Sequence, residues 1–157
     1  MKNFQNKEKI MKVSRQLCGV ARVGLFFWGA GFVMFLVQTV AALLTHNWNA
    51  PEIYILCGGI VEMPLAIMVT LNFLWFFNRL KEGELFDGNT VGYLETAGKW
   101  WMGYWLADFA FCVIGFKWFG TKMEVSFGQL FTSLIVIFVA WLLKEAQELH
   151  EEQALTV

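Results

Sequence analysis

Long apolar stretches alternate with short charged ones along this chain of 157 residues. A helix needs about 20 mostly apolar residues to cross a hydrocarbon core of about 30 Å, because it rises about 1.5 Å per residue. Stretches of that length lie at about residues 19–44, 53–77, 100–119 and 125–143. The pattern therefore predicts an all-α fold in which residues 1–157 form a single domain, an integral membrane four-helix bundle.

Two charged segments follow the second and fourth predicted spans. In the loop 78–99, Gly83 should end the preceding helix, and Val91, Leu94 and Gly98 then lie on one side of a new one. In that helix Glu95 can pair with Lys99 across one turn. We therefore expect a short amphipathic helix leading into the third span, and the tail 144–157 should extend the fourth helix beyond the membrane.

The distribution of basic residues predicts the orientation, because short basic segments are retained in the cytoplasm. Ten of the 12 Lys and Arg residues lie before the first span or in its first turn, in the loop 78–99 or in the tail, whereas Lys117 and Lys122 lie on the other side. Both termini and the loop are thus expected in the cytoplasm, and the link 45–52 is expected outside.

Residues 1–17 allow two interpretations. Ile10, Val13 and Leu17 share one helical face, and the basic residues around them could meet anionic lipid headgroups, which indicates an interfacial helix. A disordered basic tail would have the same composition. The sequence alone leaves both open.

The amino-acid composition indicates which classes of protein this chain can belong to. Hydrophobic residues make up 57% of the chain and charged residues only 16%, which is typical of a protein whose main partner is membrane lipid. A net charge of -1 gives no reason to expect nucleic acid as a partner. The cysteines, Cys18, Cys57 and Cys112, stand singly, so the sequence suggests no metal site and no cofactor. No catalytic motif is present either, and we therefore expect that the protein is not an enzyme.

Two carboxylates lie near the middle of predicted spans. Glu62 is roughly 13 Å into the second span and Asp108 is roughly 12 Å into the third. An ionisable group at that depth costs at least about 2.5 kcal/mol, so it needs a partner, a proton or a water-filled cavity. Pro64 should also free the carbonyl of Ile60 beside Glu62.

These carboxylates suggest two hypotheses. In the first, Glu62 and Asp108 face each other or Arg22 across the bundle and form a site for a proton, a cation or a partner. In the second, they are an interhelical clamp in which a protonated acid donates a hydrogen bond to Gln38, Asn72 or a carbonyl.

The loop and the tail resemble those of a bacterial family of four-pass membrane proteins known as domain of unknown function 2975. That family has a Gly-Glu-x-Phe turn, an Asn-Val pair, a Leu-x-x-x-Gly step and a closing Leu-Thr-Val. Here these elements are Gly83, Glu84 and Phe86, then Asn89 and Val91 with Thr90 inserted between them, then Leu94 and Gly98, and finally Leu155, Thr156 and Val157. The resemblance implies a multi-pass protein of the bacterial inner membrane and carries no established activity.

The resulting expectation is a non-enzymatic binding or regulatory protein that acts through helix-helix contacts in the membrane. An immunity-type protein, which neutralises a membrane-acting toxin, would be one such case. Its partner would be another membrane protein or a second copy of the chain. The alternative is a small oligomeric transporter or channel subunit that uses Glu62 and Asp108.

Overall fold

The computed structural model describes residues 2–45, 50–84, 88–120, 122 and 124–155, and these form four α-helices. They are α1 (Lys2–Thr45), α2 (Ala50–Glu82), α3 (Gly88–Phe119) and α4 (Phe127–Leu155). The all-α fold is confirmed. α1, α2 and α3 each contain one predicted span, and α4 begins two residues after the predicted start of the fourth span and continues past its end. Parts of the predicted link 45–52 and of the family-like segments, residues 46–49, 85–87 and 156–157, lie outside the described residues.

Glycine ends two of these helices. Gly83 has a φ of 87°, its N–H donates to the carbonyl of Leu80 (3.1 Å), and the N–H of Glu84 donates to the carbonyl of Arg79 (3.1 Å). This pair of bonds is the Schellman motif, which needs a left-handed residue after the helix. Gly120 follows α3 with a φ of 66°. The prediction that Gly83 ends a helix is confirmed.

The helices pack in chain order, each antiparallel to the next. α1 contacts α2, α2 contacts α3, and α3 contacts α4. Among the described residues no backbone packing joins α1 to α4. The bundle is therefore open on one side, where the predicted four-helix bundle would have been expected to close.

Three helical segments are long and apolar enough to cross a membrane, namely Glu8–Thr45, Leu56–Glu82 and Phe127–Leu149. α3 has the length, with 32 residues, but is not among the three in the described part of the chain. The reason is composition, since tryptophan, tyrosine, Asp108 and Lys117 lower its hydropathy. The prediction of a span at 100–119 is thus met in length but not in apolar character.

A compact core lies toward the α2–α3 turn. Phe76 and Leu80 of α2, Leu94 of α3 and Ala140 of α4 are buried together, and we call this region the packed end. Gly98 belongs to it, because a Cβ built there would lie 2.6 Å from Ile137 Cγ1 and 3.2 Å from the Ile137 backbone nitrogen. Only glycine lets α3 and α4 approach this closely. The predicted amphipathic helix at this point exists as the first turns of α3.

The first part of α1 continues the long helix without a break, so residues 2–17 are helical. Its buried face carries Ser14 and Cys18, and the Cys18 thiol donates to Asn78 Oδ1 at 3.5 Å. Ile10 and Val13 are exposed. Leu17, the third residue of the predicted apolar face, lines a groove together with residues of α2. Whether this segment lies at the membrane interface stays a prediction.

Candidate functional site

Glu62 of α2 and Asp108 of α3 line the same cavity, which has a volume of about 450 Å³. The sequence hypothesis placed these two acids facing each other across the bundle, and that they form a functional site stays a prediction. We call the cavity the polar chamber. Its remaining lining comes from α1, α2, α3 and the α3–α4 loop, and consists of Trp28, Phe35, Tyr54, Gly58, Gly59, Met63, Tyr104, Phe111, Cys112, Lys122 and Glu124.

The α2 wall of the chamber owes its shape to two glycines. A Cβ at Gly58 would lie 3.8 Å from Glu62 Oε1 and 3.8 Å from the ring of Phe111, so the Glu62 side chain extends back along its own helix over Gly58. A Cβ at Gly59 would overlap the ring of Phe35. The missing side chains therefore let α1 approach α2 and leave space in front of the Glu62 carboxyl.

Tyr54 fixes the α2–α3 distance at one end of the chamber. Its hydroxyl donates to the carbonyl of Phe111, and its ring packs against Phe111 and Phe119 with centroids 6.0 and 5.2 Å away. On α3, Asp108 lies one turn from both Tyr104 and Cys112, so all three face the same cavity. The chamber is thus an acidic space with aromatic walls.

The chamber carries an excess of acidic groups. Glu62, Asp108 and Glu124 contribute three carboxyl groups, and Lys122 contributes one ammonium. Glu62 and Asp108 interact electrostatically, but neither forms an ion pair or side-chain hydrogen bond within the part of the chain that the structure describes. Like charges in a space of low dielectric repel, so a proton or a cation would stabilise this arrangement.

The other three residues proposed from the sequence lie elsewhere. Arg22 is exposed on α1, so the pairing of Arg22 with the acids is wrong. Gln38 is also exposed. Asn72 is 3% exposed, and its Nδ2 donates to the carbonyl of Met68 on its own helix at 2.8 Å, so it is not the acceptor or donor of an interhelical clamp with Glu62. The spacing of residues along α1 and α2 does not show how each helix is rotated about its axis, so it could not predict where these three side chains lie.

Sequence reasoning missed the chamber's other polar groups. Tyr54, Tyr104 and Lys122 each line it. The i,i+4 spacing of Tyr104 and Asp108 was the available signal for Tyr104. The sequence offers no such signal for Lys122, because a loop residue cannot be assigned to a cavity before the helices around it are placed.

An apolar groove adjoins the chamber on the open side of the bundle. It has a volume of about 580 Å³ and shares Trp28 and Tyr104 with the chamber. Its walls are small or apolar residues of α1 and α2 together with Trp101 and Tyr104 of α3, and one α4 residue, Gln129, also lines it. Among the α1 glycines, Gly24 packs on Thr70 and Gly31 on Met63, at 3.7 and 3.6 Å from an added Cβ, whereas a Cβ at Gly19 or Gly29 would have no neighbour within 4 Å.

The carboxyl groups of the chamber could bind a proton or a cation. No cluster of three or more His, Cys, Asp or Glu side chains placed to hold a metal ion occurs within the described ranges. The chamber's nucleophilic candidate, Cys112, has no histidine beside it in the lining. Nothing in this geometry singles out an organic cofactor.

Comparison with known proteins identifies no relative of this chain. No family model matches the chain, no curated protein is significantly similar to it, and no solved structure matches its fold. The resemblance of the loop and the tail to domain of unknown function 2975 therefore stays a prediction.

Proposed function

We propose that the chain is a multi-pass protein of the bacterial inner membrane with four spans and with both termini in the cytoplasm. Three helical segments with the length and hydropathy of spans support membrane insertion. α3 packs between α2 and α4, two of the helices that carry these segments, so a position beside them in the bilayer is the simplest account of its place. Tyr104 and Asp108 of α3 then face the chamber and avoid lipid.

The orientation is tested by labelling single cysteines from one side of intact cells. In a background with Cys18, Cys57 and Cys112 replaced by serine, an impermeant maleimide should reach Asn47→Cys and Lys122→Cys but not Asn89→Cys. Permeabilised cells give the control in which all three react. Labelling of Asn47→Cys and Asn89→Cys from the same side would contradict the proposed topology.

Within the membrane the protein acts by binding, without catalysing a reaction. The observation that carries this proposal is the open side of the bundle, where α1 packs against α2 but not against α4 in the described structure. The apolar groove on that side has small residues, Ala21 and Gly24, that would let another helix approach closely. The occupant we propose is a transmembrane helix of a partner membrane protein, and an immunity-type role is one form of such binding.

Photo-crosslinking in cells tests this site. A photoreactive residue replacing Val20, which is 69% exposed and lines the groove, should give one discrete protein adduct. The matched control is Val40 on the same helix, which is also exposed but lies outside the groove. Adducts with lipid alone at both positions would contradict the proposal, and an adduct of twice the chain's mass would identify a second copy as the occupant.

A second candidate function is transport by an oligomer of this chain. It is favoured by a specific observation, the placement of Glu62 and Asp108 in one cavity with Lys122 in its lining. Purified protein in liposomes should then mediate an ion or proton flux that Glu62→Gln abolishes. A flux that the variant retains, or none at all, would exclude this alternative.

A further inference from the structure

The polar chamber has features of a small-molecule site that neither helix pairing nor bundle stability requires. It holds about 450 Å³ of space, which lies within the range of about 300–1,000 Å³ found for ligand pockets. Two unpaired carboxyl groups, Glu62 and Asp108, line it at mid-depth of the predicted spans. A structural clamp would bring such groups into contact with donors, and the described structure contains no such contact.

The sign of the charge indicates a cation. Even if Lys122 offsets one of the three carboxylates, the lining keeps an excess of negative charge. A neutral or anionic ligand would leave the repulsion between Glu62 and Asp108 uncompensated, whereas a monocation placed between α2 and α3 would relieve it.

The walls indicate an organic cation with an apolar body. Five aromatic side chains line the chamber: Trp28, Phe35, Tyr54, Tyr104 and Phe111. Ring faces attract ammonium and phosphonium groups and at the same time solvate hydrocarbon substituents. A hard metal cation instead prefers six or more oxygen ligands at short distance.

We propose that Glu62, Asp108 and the aromatic side chains around them form a binding site for a lipophilic organic monocation. The site goes beyond the partner-binding function, because it occupies the chamber and not the groove. It also defines the class of cargo that the transport alternative would carry. Trp28 and Tyr104, which belong to both cavities, place the site beside the open side of the bundle, from which a ligand can enter out of the membrane.

Gly58 provides a way to close the site without touching its charges. A Cβ at this position makes ordinary contacts of 3.8 Å with Glu62 Oε1 and Phe111, so alanine fits. The longer side chain of Gly58→Leu would extend into the space between these groups. Gly58→Leu therefore fills the chamber, whereas Gly58→Ala changes the same position of α2 without filling it. Comparing the two variants shows whether the space in the chamber is needed.

The experiment is equilibrium binding of radiolabelled tetraphenylphosphonium to the full-length protein in dodecyl maltoside, with empty micelles as background. We expect saturable binding that Glu62→Gln and Asp108→Asn each weaken about tenfold or more, since each removes a charge facing the ligand. Gly58→Leu should abolish binding and Gly58→Ala should retain it. The anion of the same shape, tetraphenylborate, should not bind saturably.

Equal affinity in the double variant Glu62→Gln, Asp108→Asn would overturn the proposal, as would saturable binding of tetraphenylborate or the absence of saturable phosphonium binding to the native chain. Size-exclusion chromatography shows which variants stay folded. If Gly58→Leu does not stay folded, the binding measured for Gly58→Ala keeps the test valid. A crosslink at Val20 with no phosphonium binding would support the partner function and contradict only the cation site. Phosphonium binding with no protein crosslink at Val20 would support the cation site and contradict the partner function.

Discussion

α2 and α3 build both the packed end and the polar chamber, yet the two regions have opposite character. At the packed end Leu80, Leu94 and Ala140 are 8%, 6% and 1% exposed, and Gly98 brings α3 against Ile137 of α4. At the chamber the same two helices stand apart around Glu62 and Asp108. One helix pair therefore provides a closely packed region and an open site.

The difference follows from what holds helices together in lipid. Lipid tails are as apolar as leucine, so contact between helices depends on close packing and on a few polar bonds. The packed end has the small and complementary residues that such packing needs. Around the chamber, contacts at its edge hold the helices, such as the Tyr54–Phe111 bond and the bond that Trp105 Nε1 donates to the Ser126 carbonyl at 3.0 Å. Stability should thus reside at the packed end and binding at the chamber.

The largest expected effect is the loss of a core side chain at the packed end. Leu94→Ala should lower the free energy of unfolding by about 2–5 kcal/mol, because it leaves a cavity between α2, α3 and α4. Leu106→Ala on the same helix is the matched control, since Leu106 is 53% exposed and should cost far less. Reversible unfolding in mixed micelles, followed by circular dichroism, measures both. Equal losses would mean that the packed end is not the stabilising region.

Closing the space at Gly98 should have the next largest effect. Gly98→Ala places a methyl group against the side chain and backbone of Ile137 and should cost about 1–3 kcal/mol. Gly103→Ala is the control on α3, because a Cβ there has no neighbour within 4 Å, and it should be neutral or stabilising by about 0.5–1 kcal/mol. The same unfolding assay measures both variants. If Gly98→Ala does not change the free energy of unfolding, α3 and α4 can move apart without loss of stability.

In the chamber we expect little change in stability. Glu62→Gln should alter the free energy of unfolding by less than about 0.5 kcal/mol, because the carboxyl group has no hydrogen-bonding partner in the described structure and the substitution removes its repulsion with Asp108. Thermal unfolding of Glu62→Gln and of Leu94→Ala under the same conditions measures the difference in stability between the two variants. A loss similar to that of Leu94→Ala would show that the Glu62 carboxyl group itself stabilises the fold.

The smallest expected effect is the pH dependence of the Glu95–Lys99 pair near the packed end. A hydrogen bond from the Lys99 ammonium, 2.5 Å from Glu95 Oε1, lowers the pKa of Glu95, and the charges of Lys99 and Lys144 add to this. Because the folded pKa lies below the unfolded one, the pair stabilises the protein above the unfolded pKa and loses this contribution as pH falls through the folded pKa. Both side chains are more than a third exposed, so the contribution should be only about 0.3–0.5 kcal/mol.

Comparing the native chain with Lys99→Met isolates this contribution. Their difference in unfolding free energy should be present at about pH 6 and should decrease as the pH falls through the lowered folded pKa of Glu95. A difference that stays constant over this range would show that Lys99 stabilises by packing its alkyl chain and not by its charge.

Several features of the candidate site could be predicted from single residues. An acid in an apolar stretch must find a polar surrounding, so Glu62 and Asp108 could be selected without any structure. Their companions could not be selected in this way. Arg22 was chosen by charge and Asn72 by polarity, but the rotation of α1 places Arg22 on the exposed surface, and the Asn72 side chain bonds its own helix. Rotation about a helix axis is decided by the neighbouring helix, and local spacing contains little of that information.

The four helices and the residues that end and separate them could be predicted from the amino-acid sequence, because hydropathy, glycine and charge act locally. The need of Glu62 and Asp108 for a polar surrounding could be predicted in the same way. The described structure was needed to show that α1 and α4 do not pack together, that Tyr54, Tyr104 and Lys122 line one cavity with the two acids, and that Gly98 packs against Ile137 at the other end. These outcomes depend on how side chains from distant parts of the chain fit together, and that fit arises when the helices meet.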